Sequence, residues 1–287
     1  LPQALLLIAG LLLLKHRVQR FGRNSINAVQ LPALVRLGTG GRLVLGLLAA
    51  GVMAAVLLVP LGSLVHAVGS WENLVNAWRA TRKEIIHSLS LAPVAATAST
   101  ALALAAAVAM RRRLWQRLLS PPLIMLLAMP MPLVGIGLIK CFNHAATDFV
   151  YDTPTILVLA WTLRAVPFAV LVVLPSTQRV PAALCESARL DGANWTQQLL
   201  QVFIPLCHRS LFCAWLLSFI LACGELGATV LVVPPGFDTL AVRFFTLIHY
   251  QVYGDSAGLC LIALAMTAVP ALGIGWLLWG VLQRRLG

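Results

Sequence analysis

Acidic side chains are scarce in this chain. Only nine of its 287 residues are Asp or Glu, and charged residues of either sign make up 10%. Soluble domains carry roughly a quarter charged residues and about half apolar ones, whereas here the apolar share is 60% and the mean hydropathy +0.90. That shortage excludes an ordinary soluble domain and predicts an all-α, polytopic membrane helical bundle. Other absences narrow the chemistry. No Gly-x-x-x-x-Gly-Lys-Ser/Thr string offers a phosphate loop for ATP, and no His-Glu-x-x-His string marks a zinc protease. The six cysteines (Cys141, Cys185, Cys207, Cys213, Cys223, Cys260) include no Cys-x-x-Cys pair and fall mostly in apolar segments, where a free thiol behaves as a small hydrophobe. The adjacent Cys207 and His208 lack the further ligands that zinc needs. No catalytic residue, no metal site and no cofactor bound by this chain is therefore expected.

Six spans are predicted: Leu43 to Val65, Ile85 to Met110, Leu118 to Ile139, Pro154 to Pro175, Leu211 to Val233, and Ser256 to Leu282. The segments between them alternate in charge. Lys15 to Arg42, Arg111 to Arg117, Ser176 to Arg209 and the tail together carry fifteen Lys/Arg, against five on the opposite side. The positive-inside rule places the fifteen-charge side in the cytoplasm. The net charge of +12 thus follows from topology; the basic loops favour anionic membrane lipids, and no nucleic acid is called for. Ahead of the first span, Leu1 to Leu14 is an apolar run of fourteen residues, short of the ~20 a bilayer requires. It reads as a truncated N-terminal helix. Residues 1–42 are accordingly expected to be the end of a preceding transmembrane helix and a basic cytoplasmic linker, and residues 43–287 a six-helix domain. Several spans carry prolines, notably Pro121 to Pro132 and Pro167, which lipid tolerates only where neighbours or water satisfy the freed carbonyls.

The cytoplasmic loop at 176–209 holds all but the last residue of "ALCESARLDGANWTQQLLQVFIPLCHRS", Ala183 to Ser210. Pro181 suits the first turn of a short helix carrying Glu186, and Gly192 supplies the backbone freedom that ends it. From Asn194, a capping residue, a second helix is predicted with apolar positions Trp195, Leu199, Val202, Phe203 and Leu206 at three- and four-residue spacing, stopped by Pro205. A lipid-surface helix usually presents Lys or Arg on its polar face. This one presents Asn194, Gln197, Gln198 and Gln201, which suits a protein groove better.

Glu186, Ser187, Ala188, three residues, Gly192, nine residues, then Val202, Phe203, Ile204 and Pro205 resemble the cytoplasmic signature of bacterial ATP-binding cassette importer permeases: Glu-Ala-Ala, three, Gly, nine, Ile, any residue, Leu, Pro. Ser187, Val202 and Ile204 depart from it conservatively. The resemblance covers the six-span unit and implies a multi-pass protein of the bacterial inner membrane. It implies that this loop, through Glu186, Ser187, Ala188, Gly192, Trp195 and Pro205, docks on a cytoplasmic ABC ATPase dimer that carries the ATP. It also implies a second permease unit, expected in the same polypeptide, and a periplasmic or lipid-anchored substrate-binding protein.

Gly224 to Tyr250 ("GELGATVLVVPPGFDTLAVRFFTLIHY") resembles the matching region of ferric-iron permeases, and more loosely those for thiamine, phosphonate, sulfate and molybdate. Ferric iron is thus the first expectation for the substrate. Pro234, Pro235 and Gly236 are predicted to form a turn, with Asp238 capping a short external helix from Arg243 to Tyr250. Two charges lie inside spans, Arg164 and Glu225, at depths of ~18 and ~22 Å from the cytoplasmic ends at 1.5 Å per residue. They are candidates for an ion pair or for contacts in the pathway. A secondary transporter is the rival class, but one glutamate and no aspartate within the predicted spans give it little to couple with.

Overall fold

The computed structural model describes residues 39–249 and 253–286, and all its elements are helical. The expected helix stub at Leu1 to Leu14 and the linker up to residue 38 lie outside these residues. In chain order the helices are α1 (Thr39–Val68), α2 (Trp71–Ala80), α3 (Arg82–Ala109), α4 (Arg113–Ala128), α5 (Met131–Phe142), α6 (Asp148–Tyr151), α7 (Thr155–Arg179), α8 (Ala182–Leu190), α9 (Trp195–Cys223), α10 (Thr229–Val232), α11 (Leu240–His249) and α12 (Tyr253–Leu286). The chain divides into two units, Leu1–Val59 and Pro60–Gly287. Helix α1 holds the first predicted span and is long and apolar enough to cross a bilayer. All contacts described below are internal to the second unit.

Helices α3, α7 and α9 pack on one another to form the core. The reason lies in the α3 sequence, whose buried positions Ala92, Ala95, Ala96, Ser99, Ala103 and Ala107 recur every three or four residues. Lipid tails are as apolar as leucine, so helices in a membrane associate through close packing, and small residues let the backbones approach. Larger side chains of α7 fill the space opposite. Ile156, Leu157 and Trp161 join Ala92, Ala95 and Phe219 in one cluster, while Val170 and Val173 join Ala103, Ala107, Phe203 and Cys207 in a second nearer the basic loops. A third cluster, Ala77, Ile85, Leu240, Leu247, Leu259 and Ile262, ties α2, α3, α11 and α12 together.

Two predicted spans differ from expectation. Leu118 to Ile139 is not one rod: α4 and α5 meet at a 110° bend over Met129 and Pro130. A residue before proline is pushed out of the helical region, and Met129 (ψ 127°) and Pro130 (ψ 133°) are both extended. The fifth span, expected over Leu211 to Val233, begins earlier, at Trp195, and ends at Cys223. Pro205 does not stop it. The turn Leu199–Phe203 widens to π geometry, with Ile204 N–H reaching back to Leu199 O, and the helix continues through the proline at its next turn. The string Gly254-Asp255-Ser256-Ala257-Gly258 has the spacing of a hydrolase nucleophile elbow, but it lies inside α12, without the strand-to-helix turn that such an elbow requires.

Candidate coupling surface and intramembrane cavity

Helix α8 follows Pro181 by one residue and ends in a tight left-handed turn at Gly192, φ +82°. The N–H of Ala193 donates to Ala188 O (2.9 Å) and that of Gly192 to Arg189 O (3.0 Å), satisfying two carbonyls that a helix end would otherwise orphan. Two residues on, Asn194 accepts from Gln197 N (2.9 Å) through Oδ1, while its own N–H donates to Gln197 Oε1 (2.8 Å), a reciprocal capping box. One helix is thus closed and the next opened within three residues, which fixes the angle between them. Pro205 contributes by its place in α9, beyond the π turn.

The apolar face predicted for this loop divides in two. Phe203 and Cys185 are buried in the second of the core clusters, with Leu199 and Val202 packed against it. Trp195 and Leu206 face outward instead, joined by Leu184 and Leu190, the last 88% exposed. Glu186 and Ser187 are exposed as well. The outward surface therefore offers a carboxylate among large apolar side chains.

Arg111 holds the base of this hairpin. Its Nη1 donates to Thr177 O (2.8 Å) and its Nη2 to Val180 O (2.9 Å), carbonyls at the end of α7, and its guanidinium lies 5.2 Å from the Phe203 ring centre. One planar cation thereby joins the ends of α3, α7 and the π turn of α9, a task suited to the fork of arginine. Sequence reasoning missed it, because Arg111, Arg112 and Arg113 read alike as topology signals. A groove of about 500 Å³ between Arg112, Trp115, Glu186 and Trp195 opens beside it.

At the opposite end, Pro234 to Phe237 forms the expected turn: Phe237 N–H donates to Pro234 O (3.1 Å) and Gly236 takes φ +77°. Proline then glycine is the pairing a type II turn asks for. The cap of α11 is Thr239 rather than Asp238. Thr239 Oγ1 accepts from Val242 N (3.4 Å), and Ser88 Oγ accepts from Leu240 N (2.9 Å). Asp238 is exposed, and its backbone carbonyl accepts from Nδ1 of His87 at 3.0 Å. His87 in turn stacks on Phe237, and Arg243 meets Glu84 at 4.0 Å, so α11 is fastened to α3.

Arg164 and Glu225 line one cavity of about 360 Å³, with Met131, Leu221, Gly224 and Gly227. They do not form an ion pair. Glu225 is 6% exposed, and its carboxylate caps α10: Oε1 accepts from Ala228 N (3.0 Å), Oε2 from Thr229 N (3.0 Å) and from Thr229 Oγ1 (2.6 Å). Trp161 Nε1 completes the network by donating to Thr229 Oγ1 at 2.9 Å. Arg164 is half-buried, with its guanidinium 5.3 Å from the Phe168 ring centre. The cavity sits where two helix breaks meet. A Cβ on Gly227 would come within 3.1 Å of Met131 Cβ, and one on Gly135 within 3.2 Å of Ala228 Cα.

Residues 99–286 match the family described as binding-protein-dependent transport system inner membrane component. A 2-aminoethylphosphonate transport system permease protein of Salmonella paratyphi A is 28% identical over 242 residues, covering 77% of this chain and 91% of that protein. The spermidine/putrescine transport system permease protein PotC of Escherichia coli K12 is 23% identical over 185 residues, 64% of this chain and 69% of that one. In fold the chain resembles a bacterial alginate ABC transporter solved with an alginate pentasaccharide-bound periplasmic protein, with a TM-score of 0.61 and 14% identity over 79% of this chain and 92% of that chain. Neither relative is named for iron. The bundle and the match across most of its length together make the chain a multi-pass inner-membrane permease of the ATP-binding cassette importers, a member of the binding-protein-dependent transport system inner membrane component family.

Proposed function

We propose that this chain forms one side of the translocation pathway of its importer and that the hairpin of α8 and the start of α9 is the surface on which a cytoplasmic ATPase dimer docks. A second permease unit completes the path, and a substrate-binding protein delivers the solute to the side where α11 lies. ATP is bound and hydrolysed on the partner ATPase. The observation that carries this reading is the hairpin itself. Its bend is locked by the Gly192 turn and the Asn194 box, its base is pinned by Arg111, and its outer surface leaves Leu190 and Trp195 at 88% and 54% exposure beside Glu186. Large apolar side chains ringed by polar ones on a rigid support are what a docking contact needs.

Of the solutes that the resemblance brings in, phosphonate and molybdate are those that relatives' names support, one relative being a 2-aminoethylphosphonate permease protein and another, of Haloferax volcanii, a molybdenum ABC transporter permease protein. Ferric iron has no such support, and the reading adopted is a small solute delivered by a binding protein. Co-purification of the full chain from its own membrane, followed by mass spectrometry of the bound subunits, tests the assembly. Recovery of an ATP-binding cassette ATPase in stoichiometric amount is expected, and it should be lost in Trp195→Asp. A chain that retains no ATPase under conditions that keep the membrane domain folded would overturn the docking role.

A further inference from the structure

The relatives do not fix the sign of the solute, because one is named for a phosphonate and another for polyamines. The intramembrane cavity does bear on it. Its walls carry two ionisable groups of opposite sign, and only one is committed to the protein. The Glu225 carboxylate is spent on three donors of its own segment, two backbone N–H groups and the Thr229 hydroxyl. Such a carboxylate is fixed in place and its charge is largely balanced by those dipoles.

Arg164 differs. Among the described residues no carboxylate lies within ion-pair distance of it and no protein acceptor takes its N–H groups; Phe168 covers one face of the guanidinium, leaving the edge free. A guanidinium presents five donors in a plane that matches the oxygens of carboxylate and phosphate-type groups. Held at half-burial beside apolar walls of Met131 and Leu221, it acts through a lower dielectric than bulk water and attracts an anion more strongly. An intramembrane cation without a protein partner is costly, and its retention asks for a compensating ligand.

The site also stands at the right place along the path. Backbone that leaves helical geometry within a membrane must be buried in protein or line a water-filled cavity, and both breaks, at Met129–Pro130 and at Gly224–Ala228, border this one. Gly135 and Gly227 bring the two breaks into contact. Pathway sites of transporters are commonly built at such interruptions. We propose that Arg164 is the anion-recognition point of the permeation path and that the solute carried by this permease bears a phosphonate-type oxyanion. The proposal rests on the permease reading above and adds the charge of the cargo to it.

The test places Leu221→Cys on the cavity wall of the full transporter, with ATPase, second permease unit and binding protein present. Modification by the anionic (2-sulfonatoethyl) methanethiosulfonate is compared with that by its cationic trimethylammonium counterpart, read on the peptide carrying residue 221 so that the native thiols do not interfere. After correction for the reagents' intrinsic rates, the anionic reagent is expected to react at least tenfold faster. Arg164→Gln should abolish that preference, and Arg164→Lys should keep most of it. In parallel, ATP-driven uptake of radiolabelled 2-aminoethylphosphonate should fall at least tenfold in Arg164→Gln and recover in part in Arg164→Lys. A parent complex that couples to its ATPase yet shows no anion preference, excludes both reagents, or takes up no phosphonate sinks the proposal alone. A chain that binds no ATPase at all sinks the permease reading along with it.

Discussion

Replacing Gly192 isolates backbone strain from every other effect. The residue sits at φ +82°, and a Cβ placed on it would meet nothing within 4 Å. Adding a Cβ there therefore costs torsional energy, with no clash at that atom. For an ordinary L-residue the left-handed region costs about 1–2 kcal/mol, for a β-branched one up to about 3 kcal/mol, and for Asn less, since its side chain bonds locally there. Relief of that strain opens the turn and loses the bonds from Ala193 N to Ala188 O and from Gly192 N to Arg189 O. The segments bearing Glu186 and Trp195 then lose their mutual angle. Every 1.4 kcal/mol is about tenfold in an equilibrium, so Gly192→Val should weaken ATPase binding by about tenfold or more, Gly192→Ala by less, and Gly192→Asn least of all. Titration of the detergent-solubilised permease with purified ATPase reads the affinity, and the amount of folded permease in the membrane should be unchanged across the series. Equal binding by Val and Asn variants would refute the strain argument. A parallel loss of folded protein would move the role of Gly192 from coupling to folding.

Three further outcomes follow from the same geometry. Arg111→Ala removes two charged hydrogen bonds and the stack on Phe203, which should cost about 1–3 kcal/mol and lower both the melting temperature and ATPase coupling; Arg111→Lys should rescue little, because a single ammonium cannot span both carbonyls, and full rescue would count against the clamp. Glu225→Gln leaves the two N–H groups at Ala228 and Thr229 sharing one carbonyl oxygen, and a buried donor left unpaired costs about 1–3 kcal/mol; a thermal melt of the purified permease identical to the parent would refute the cap. Gly227→Val drives a branched side chain against Met131 and Pro132, where a Cβ alone already reaches 3.1 and 3.2 Å; it should abolish uptake while Gly227→Ala retains part, and normal uptake by the Val variant would dissociate the paired breaks from transport.

What could be read from the sequence was whatever is decided within a few residues. The Gly192 turn, the Asn194 cap and the Pro235-Gly236 turn each depend on local φ preference and short side-chain reach, and each stands where the residue types place it. Breaks inside apolar runs are a different matter, because hydropathy averages over about twenty positions and is blind to a helix that stops and restarts within them. Pro93, Pro167 and Pro270 lie inside continuous helices, while Pro130 marks a 110° bend. What distinguishes Pro130 is its setting rather than proline density, since the adjacent Pro121 and Pro122 stay inside α4: α10 supplies a surface against which the segment turned at Met129 can pack. The cap of α11 shows the same division. Asp238 and Thr239 are both capping types, and the choice fell to Thr239 because it is buried against α3, where its neighbour Leu240 finds Ser88.

Charge inside the membrane was legible as to depth but not as to partnership. Arg164 and Glu225 do come to one cavity. Their pairing was foreclosed by the break at Gly224, which created free N–H groups one turn from the glutamate, and a carboxylate meets a helix start in its own segment before it meets a cation on another helix. The arginine was left facing the cavity as a consequence. A span unbroken through Val233 would have had no such N–H groups to offer, and the same two residues would then have been free to neutralise each other. The function inferred for Arg164 thus depends on the helix break 60 positions away as well as on the arginine itself, and a change that restored helix through Gly224, such as Gly224→Ala together with Gly227→Ala, should release Glu225 toward Arg164. The expected readout is loss of the anionic preference at Leu221→Cys with Arg164 still present. Retention of that preference in the helix-restored variant would show that the two charges are kept apart by something other than the break.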